Sequence, residues 1–298
     1  MVAGFVRANR EEFGVDPICE VLQVAPRTIR AHLVGPASQR SIDDEVLTAK
    51  IEACYLANYS CYGYRKICAQ LAREDVKIGS DRCRPLMRTA GIQGLRRGKT
   101  VRTTRPDPAD VRAADLVKRD FTATRPDELW VSDFTYCSTW QGWLYVAFVL
   151  DVYSRRIVGW AASDTMTVDL TLNALNTAAW TRNRPLEGLR AHSDAGSQYT
   201  ALSYTERLAD LGAAPSIGTV ADSYDNAMAE SLNGIFKTEM YKPMGPWRTR
   251  ADLEYAIFEY VDWYNNRRLH EQIGMIPPAE KEANYYTSIR NQDQPVPA

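Results

Sequence analysis

The sequence predicts an α/β protein: a mixed five-stranded sheet with flanking helices, preceded by an all-helical region. Three observations predict it. LWVSDFTYCST (129–139), WLYVAFVLDVYS (143–154) and IVGWAAS (157–163) are rich in β-branched and aromatic residues, are separated by short polar turns, and read as an antiparallel meander. Beyond them, short apolar runs alternate with helical patterns, the order of strands joined through crossover helices and therefore parallel to the first. Before them, residues 1–97 read as helices and turns, and residues 98–128 are Pro-dotted, polar and basic, which is linker composition.

Taken in order, PICEVLQVAPRTIRAHL (17–33) suggests two short helices around a Val-Ala-Pro turn. Residues 64–91 repeat the idea. YRKICAQLARE places Ile67 and Leu71 on one face, DVKIG is the turn, and Ser80 is positioned as N-cap of DRCRPLMRTA, which ends at Gly91. This reads as a helix-turn-helix with Arg82, Arg84 and Arg88 on its second helix; the bland alternative is a helical hairpin with an exposed arginine face. Pro85 requires either a later helix start or a kink. In the second half, VDLTLNALNTAAW (168–180) is a helix, LRAHS (189–193) a fourth strand, TALSYTERLADLG (200–212) a helix and APSIG (214–218) a fifth strand. NAMAESLNGIFKTEMY (226–241) and RADLEYAIFEYVDWYNNRRLH (250–270) are the closing helices. That is the ribonuclease H-like order, expected over residues 129–286, with residues 287–298 as a disordered tail.

Composition narrows the function. The longest apolar run, Trp143 to Leu150, is far short of a membrane span, and the N-terminus has no signal-peptide core, so a soluble cytoplasmic protein is expected. Six cysteines without a CxxC pair and three scattered histidines argue against zinc and redox motifs. The net charge of −1 hides an asymmetry: residues 1–125 carry 22 basic and 15 acidic side chains, residues 126–298 carry 14 and 22. A polyanion-binding module joined to a domain that concentrates carboxylates accounts for it.

In the predicted strand order, strands one and four are neighbours. Asp133 sits mid-strand in WVSDFTY, Asp194 ends strand four in HSDAGSQY, and Glu230 lies on the helix after strand five, able to approach the same point. Three carboxylates without basic partners repel each other, and divalent cations resolve the repulsion. Two ions, Mg²⁺ or Mn²⁺, roughly 4 Å apart suit phosphodiester chemistry. The 35 residues between Asp194 and Glu230 prove little by themselves among 37 acids. Glu230, Asn233 and Lys237 share one helical face. His192 faces the same side of its strand as Asp194, and a hydrogen-bond partner is a better reading than a general base.

The ordered strings DFTY, HSDAGSQY, SYDNAMAESLNGIFKTE, YNNRRLH and PPAE resemble the catalytic protein of two-reading-frame bacterial insertion sequences (the insertion-sequence-three family), within the retroviral-integrase superfamily. The resemblance covers nearly the whole chain, and GYRKICAQLARE with RPLMRTAGI resembles that family's N-terminal helix-turn-helix. It implies a DDE transposase in which Asp133, Asp194 and Glu230 are the catalytic, metal-binding acids and Lys237 meets the transposon end. It also implies binding of terminal inverted repeats and target DNA, assembly of several copies on DNA, and a nucleoid association when bound. A frameshift fusion to an upstream helix-turn-helix and leucine-zipper protein is a further implication. Ala195 departs from the family where many members carry a longer polar or basic residue, and HEQIGMIPPAE keeps only the outline of the C-terminal stretch.

Other residues are read beside these. Asn233, Arg96, Arg97 and Lys99 join Lys237 and the helix-turn-helix arginines as DNA contacts, and Arg267 and Arg268 could reach phosphate. Asn226 is either part of a helix cap or a loop contact; Asp151 caps a turn. Trp130, Trp143 and Trp160 are expected in the core. Two rival functions remain at this level: an inactive DNA-binding regulator of its own element, and a Mg²⁺-dependent ribonuclease H-like nuclease.

Overall fold

The computed structural model describes residues 2–34, 38–95, 117, 120–194, 196–217 and 226–292. The N-terminal part is helical. Helices α1 (Val2–Phe13), α2 (Val15–Val21) and α3 (Pro26–Val34) bury Val6, Ile18, Cys19 and Ile29 in a small core of their own. Helices α4 (Gln39–Ala57), α5 (Tyr64–Arg73) and α6 (Ser80–Thr89) close around Ile51, Ile67, Leu71, Cys83 and Met87. The cap of α6 is Gly79, one residue before the expected Ser80, and the helix runs through Pro85. The proline forgoes one backbone bond there and neither delays nor ends the helix.

The second half is built on strands β1 (Leu129–Thr139), β2 (Gly142–Asp151), β3 (Ile157–Ser163), β4 (Arg190–Ser193) and β5 (Ala214–Ile217). Their order across the sheet is β3-β2-β1-β4-β5. The meander is antiparallel, and β4 and β5 add in parallel to β1, as the strand pattern predicts. Helices α7 (Val168–Arg182), α8 (Ser197–Thr200) and α9 (Leu202–Asp210) supply the crossovers. Helix α10 (Ala227–Phe236) passes without interruption into a π-helical turn (Lys237–Tyr241) and the short α11 (Lys242–Met244), followed by α12 (Arg250–Asn266) and α13 (Pro278–Gln292).

Alternation along β1 divides the sheet into two cores. Leu129, Val131 and Cys137 face Phe236, Ile257 and Tyr260 of the α10 and α12 layer. Trp130 faces Leu170, Ala174, Leu175 and Leu208 of the α7 and α9 layer. The helices α4 to α6 join the first core: Trp263 Nε1 donates to Asn58 Oδ1 at 3.2 Å, and the Leu269 amide donates to the Tyr62 hydroxyl at 2.8 Å. The helix-turn-helix segment is therefore docked on the closing helices of the sheet domain.

Two features differ from the sequence reading. Helix α13 continues to Gln292, six residues into the segment expected to be disordered. Nothing in YYTSIRNQ breaks a helix, and Tyr285 and Tyr286 hold that stretch against Tyr153 and Arg184. The helix is anchored by Glu282, buried with Arg182 at 2.6 Å, and Arg182 also meets Asp127 at 2.8 Å. Trp143 lies at the solvent end of β2 and is 50% exposed rather than in the core. Asp151 does cap its turn, accepting from the Ser154 amide at 2.8 Å, and it also accepts from the Asp127 amide at 2.7 Å.

Gly159 of β3 shows why α7 can lie so close to the sheet. A Cβ at that position would stand 2.3 Å from the Ala174 carbonyl oxygen and 2.6 Å from the Ala178 nitrogen, both backbone atoms of α7. Gly159→Ala should therefore push the helix off the sheet and cost about 1–3 kcal/mol. A urea denaturation midpoint unchanged from wild type would contradict this close approach.

Candidate active site

The site is set by strand register. Parallel pairing of β1 with β4 runs from Leu129 opposite Arg190 to Ser132 opposite Ser193, where β4 ends. The next residues are Asp133 and Asp194, so two carboxylates flank each other at the first step beyond the ladder. Asp133 is half-buried. Its Oδ1 accepts from the Phe134 amide at 2.8 Å, and its Oδ2 accepts from Asn233 Nδ2 at 2.9 Å. Asp194 Oδ1 accepts from the Gly196 amide at 3.2 Å. Burial pushes the Asp133 carboxyl well above the usual aspartate range, and the charges of Asp194 and Glu230 push it further. Burial also raises Asp194, against the opposing pull of the Gly196 amide and of His192.

Helix α10 lies over this pair. Asn226, at its start, donates from Nδ2 to the Ser132 carbonyl at 3.0 Å. Its side chain makes no cap bond and instead stitches the helix to β1 at the residue before Asp133. Glu230 stands one turn before Asn233, is exposed, and bears on Asp133 electrostatically. Among the described residues no three acidic, histidine or cysteine side chains close into a metal site; Asp133 and Asp194 are together, with Glu230 on the helix above them. The donor set suits a hard divalent cation. It offers carboxylates whose charges raise one another, and among the described residues the Oδ1 atoms of Asn226 and Asn233 are buried without a hydrogen-bond partner.

Several expected DNA contacts are placed otherwise. Asn233 is buried with its amide committed to Asp133, so it orients the carboxylate rather than meeting DNA. Arg268 is buried in a two-bond pair with Glu239 of the π-helical turn, at 2.6 and 2.7 Å, and is withdrawn from phosphate. Arg82 pairs with Asp44 at 2.7 Å because α6 lies against the acidic start of α4. Arg84 covers the Tyr64 ring at 4.0 Å, and Arg88 is exposed. Arg96, Arg97 and Lys99 lie outside the described residues, as does Ala195. Lys237 is half-buried, with Nζ 4.8 Å from the Tyr136 ring centre, and burial lowers its pKa. His192 is buried, and its Nδ1 shares a hydrogen bond with Ser216 Oγ of β5 at 2.9 Å.

Comparison with known proteins agrees with this architecture. Residues 123–223 and 211–278 match models described as "Integrase core domain", and residues 41–100 match "HTH-like domain". The transposase for insertion sequence element IS629 of Shigella sonnei is 47% identical over 95% of this chain and 96% of its own length. The transposase for IS3411 of Escherichia coli is 42% identical over 60% of this chain and 77% of its own. A chain of the simian T-cell lymphotropic virus intasome is similar at a TM-score of 0.48 and 16% identity, over 65% of this chain and 64% of that one. This chain belongs to the insertion-sequence transposases.

Sequence reasoning missed what fixes α10 in this transposase. The Glu239–Arg268 pair, with the Tyr260 hydroxyl 3.4 Å from Glu239, ties the π-helical turn to the end of α12. The available signal was an acid at an apolar helical position in KTEMY and a second arginine in NNRR, which no local pattern pairs. Arg268→Ala strands a buried carboxylate and should cost about 3–5 kcal/mol, whereas the double change Arg268→Met with Glu239→Leu should recover most of it. Urea unfolding of the three variants checks this; equal losses in the single and double variants would count against the pair.

The raised carboxyl of Asp133 gives a second expectation, for protein free of divalent cations. Below the ordinary aspartate value of 3.8 the group is neutral in both folded and unfolded chains. As pH rises past it, the unfolded chain ionises first, so the folded state holds the extra proton and stability falls. Asp133→Asn should thus melt higher than wild type at neutral pH, with the difference disappearing at acid pH. A melting temperature below wild type at pH 7 would show that the carboxylate is not electrostatically penalised.

Proposed function

We propose that this transposase binds the ends of its element and catalyses metal-dependent strand cleavage and strand transfer at Asp133, Asp194 and Glu230. The observation that carries the reading is the register that sets Asp133 beside Asp194 where β4 ends, under α10. Mg²⁺ or Mn²⁺, two ions in all, would supply charge neutralisation and nucleophile activation for phosphoryl transfer.

The protein's own residues do the positioning. Asn233 and the Phe134 amide hold the two Asp133 oxygens in fixed directions, and the Gly196 amide does the same for Asp194. Asn226 fixes the start of the helix that carries Glu230. Lys237 lies beside the site, its ammonium over the Tyr136 ring, and is available to a phosphate of the bound strand. In cleavage, a water oxygen bonds to phosphorus, the P–O3′ bond breaks, and the strand leaves with a free 3′-hydroxyl. In transfer, that hydroxyl oxygen attacks a target phosphodiester, its proton is released, and the target's own P–O3′ bond breaks. Both steps present the same charge development to the same acids.

Recognition of the terminal repeats falls to the helix-turn-helix segment, with Arg88 exposed on α6. Pairing two ends calls for at least two copies on DNA, and fusion to an upstream-frame protein would add a second DNA-binding element. Asp133→Asn should reduce cleavage and strand transfer together to background, with DNA binding retained. The check is a gel assay of a labelled element end with Mg²⁺ or Mn²⁺. A variant that no longer cuts but still joins pre-cut ends would refute a single shared site.

A further inference from the structure

Strand β1 outruns its parallel neighbour. β4 stops opposite Ser132, so among the described strands Phe134 to Thr139 pair with β2 alone. On the freed side the Tyr241 hydroxyl takes the Ser138 amide at 2.9 Å, and Lys237 reaches Tyr136. The hairpin end of β1 and β2 carries three exposed aromatic residues: Tyr136 at 44%, Trp143 at 50% and Trp140 at 71%. Tyr136 lies opposite Tyr145 and Ser138 opposite Trp143, so Tyr136 and Trp143 are diagonal neighbours on one face. Their ring centres are 5.3 Å apart at 85°.

Two of the three exposed rings have a cation beside them. Lys237 stands 4.8 Å from the centre of Tyr136, and Arg248 5.7 Å from that of Trp140. Arg250 donates to the Trp143 carbonyl at 3.1 Å and pairs with Asp164 at 3.2 Å. A surface meant for another apolar protein face does not need cations set against its rings, as Lys237 and Arg248 are. Rings alternating with cations are the chemistry that unpaired nucleotides require, π faces for bases and positive charge for phosphates.

Tyr136 is three residues beyond Asp133, about 10 Å along an extended strand and on the other face of the sheet. That is about three stacked base steps of B-form DNA, and fewer for an unstacked strand. Lys237, at the freed edge, links the two: its ammonium is 4.8 Å from the Tyr136 ring centre and within electrostatic reach of Asp133.

We propose that Tyr136 and Trp143, with Lys237 and Arg248, form a stacking platform for unpaired bases of the DNA strand next to the reacting phosphate. The proposal rests on the transposase reading of the neighbouring acids. Its function would be to hold a frayed end open, so that the strand entering the site does not re-pair.

The test compares binding of two labelled probes to the full chain by fluorescence anisotropy, without divalent cations. One is an oligothymidylate of about a dozen nucleotides; the other is a deoxyribose-phosphate oligomer of equal length lacking bases. The wild type should prefer the thymidylate by about tenfold. Trp143→Ala and Tyr136→Ala should bring the thymidylate close to the baseless oligomer, and Trp143→Phe should keep most of the preference. Equal binding of both probes by wild type would overturn the platform. So would a preference that survives both alanine variants, or alanine variants that change self-association in sedimentation and leave the preference intact. Asp133→Asn should keep the preference, because no reaction is being measured. A chain that shows the preference but never cuts DNA would thus fail the catalytic reading and keep the platform.

Discussion

The parallel pairing of two strands of unequal length governs the rest of this molecule. β1 has eleven residues and β4 has four, and they are aligned so that the shorter ends one step before the acids. Side chains alternate with a period of two, so a slip of one residue would turn Asp133 toward the α7 layer and bring Trp130 toward α10. The register is held because both faces are buried: Leu129 and Val131 fill one core, Trp130 the other. The apolar residues that build the sheet therefore also aim the carboxylate. The cost of placing it there appears in the raised pKa of Asp133.

Helix α10 must lie across that point, and apolar packing alone would let it slide. Three polar ties fix it: Asn226 to the Ser132 carbonyl, Asn233 to Asp133, and Glu239 to Arg268. The last is a buried ion pair, the kind of contact that specifies an arrangement more than it stabilises one. It also connects distant parts of the chain. Arg268 borders His270 and Lys66, whose pKa is lowered to about 8 by burial and by Arg268, and Lys66 lies on α5 of the helix-turn-helix segment. The neighbouring Tyr62 hydroxyl receives the Leu269 amide. One continuous buried layer thus joins the segment read as DNA-binding to the helix over the acids, and a shift in one has a packed route to the other.

Much of this was legible because it depends on local periodicity. The meander, the crossover helices and the closing helices follow from alternation and helical spacing, and their order alone makes β1 and β4 neighbours. Once they are neighbours, a mid-strand acid and a strand-ending acid meet. The fates of individual polar side chains were not legible. Asn233 and Arg268 look like surface contacts on a helical wheel, and each is instead consumed by a partner from another element. Arg82 is neutralised by Asp44, 38 positions earlier. Trp143 reads as core in an apolar run, yet it falls at the sheet's protruding end and is half exposed. The length of α13 was underestimated because its anchor, Arg182 with Glu282, joins residues 100 positions apart.

The separation of charge within the site has a chemical consequence. Lys237 is close enough to feel Asp133, and an ion pair between them would relieve both burial penalties. The lysine is placed otherwise: Lys237 opens the π-helical turn, and its ammonium stands 4.8 Å from the Tyr136 ring centre. The widened turn is held in place by Glu239, two residues on. The acids and the base thereby stay apart, which on the proposed reading leaves one group for cations and the other for phosphate. Glu239 and Arg268 hold the turn from which that lysine projects.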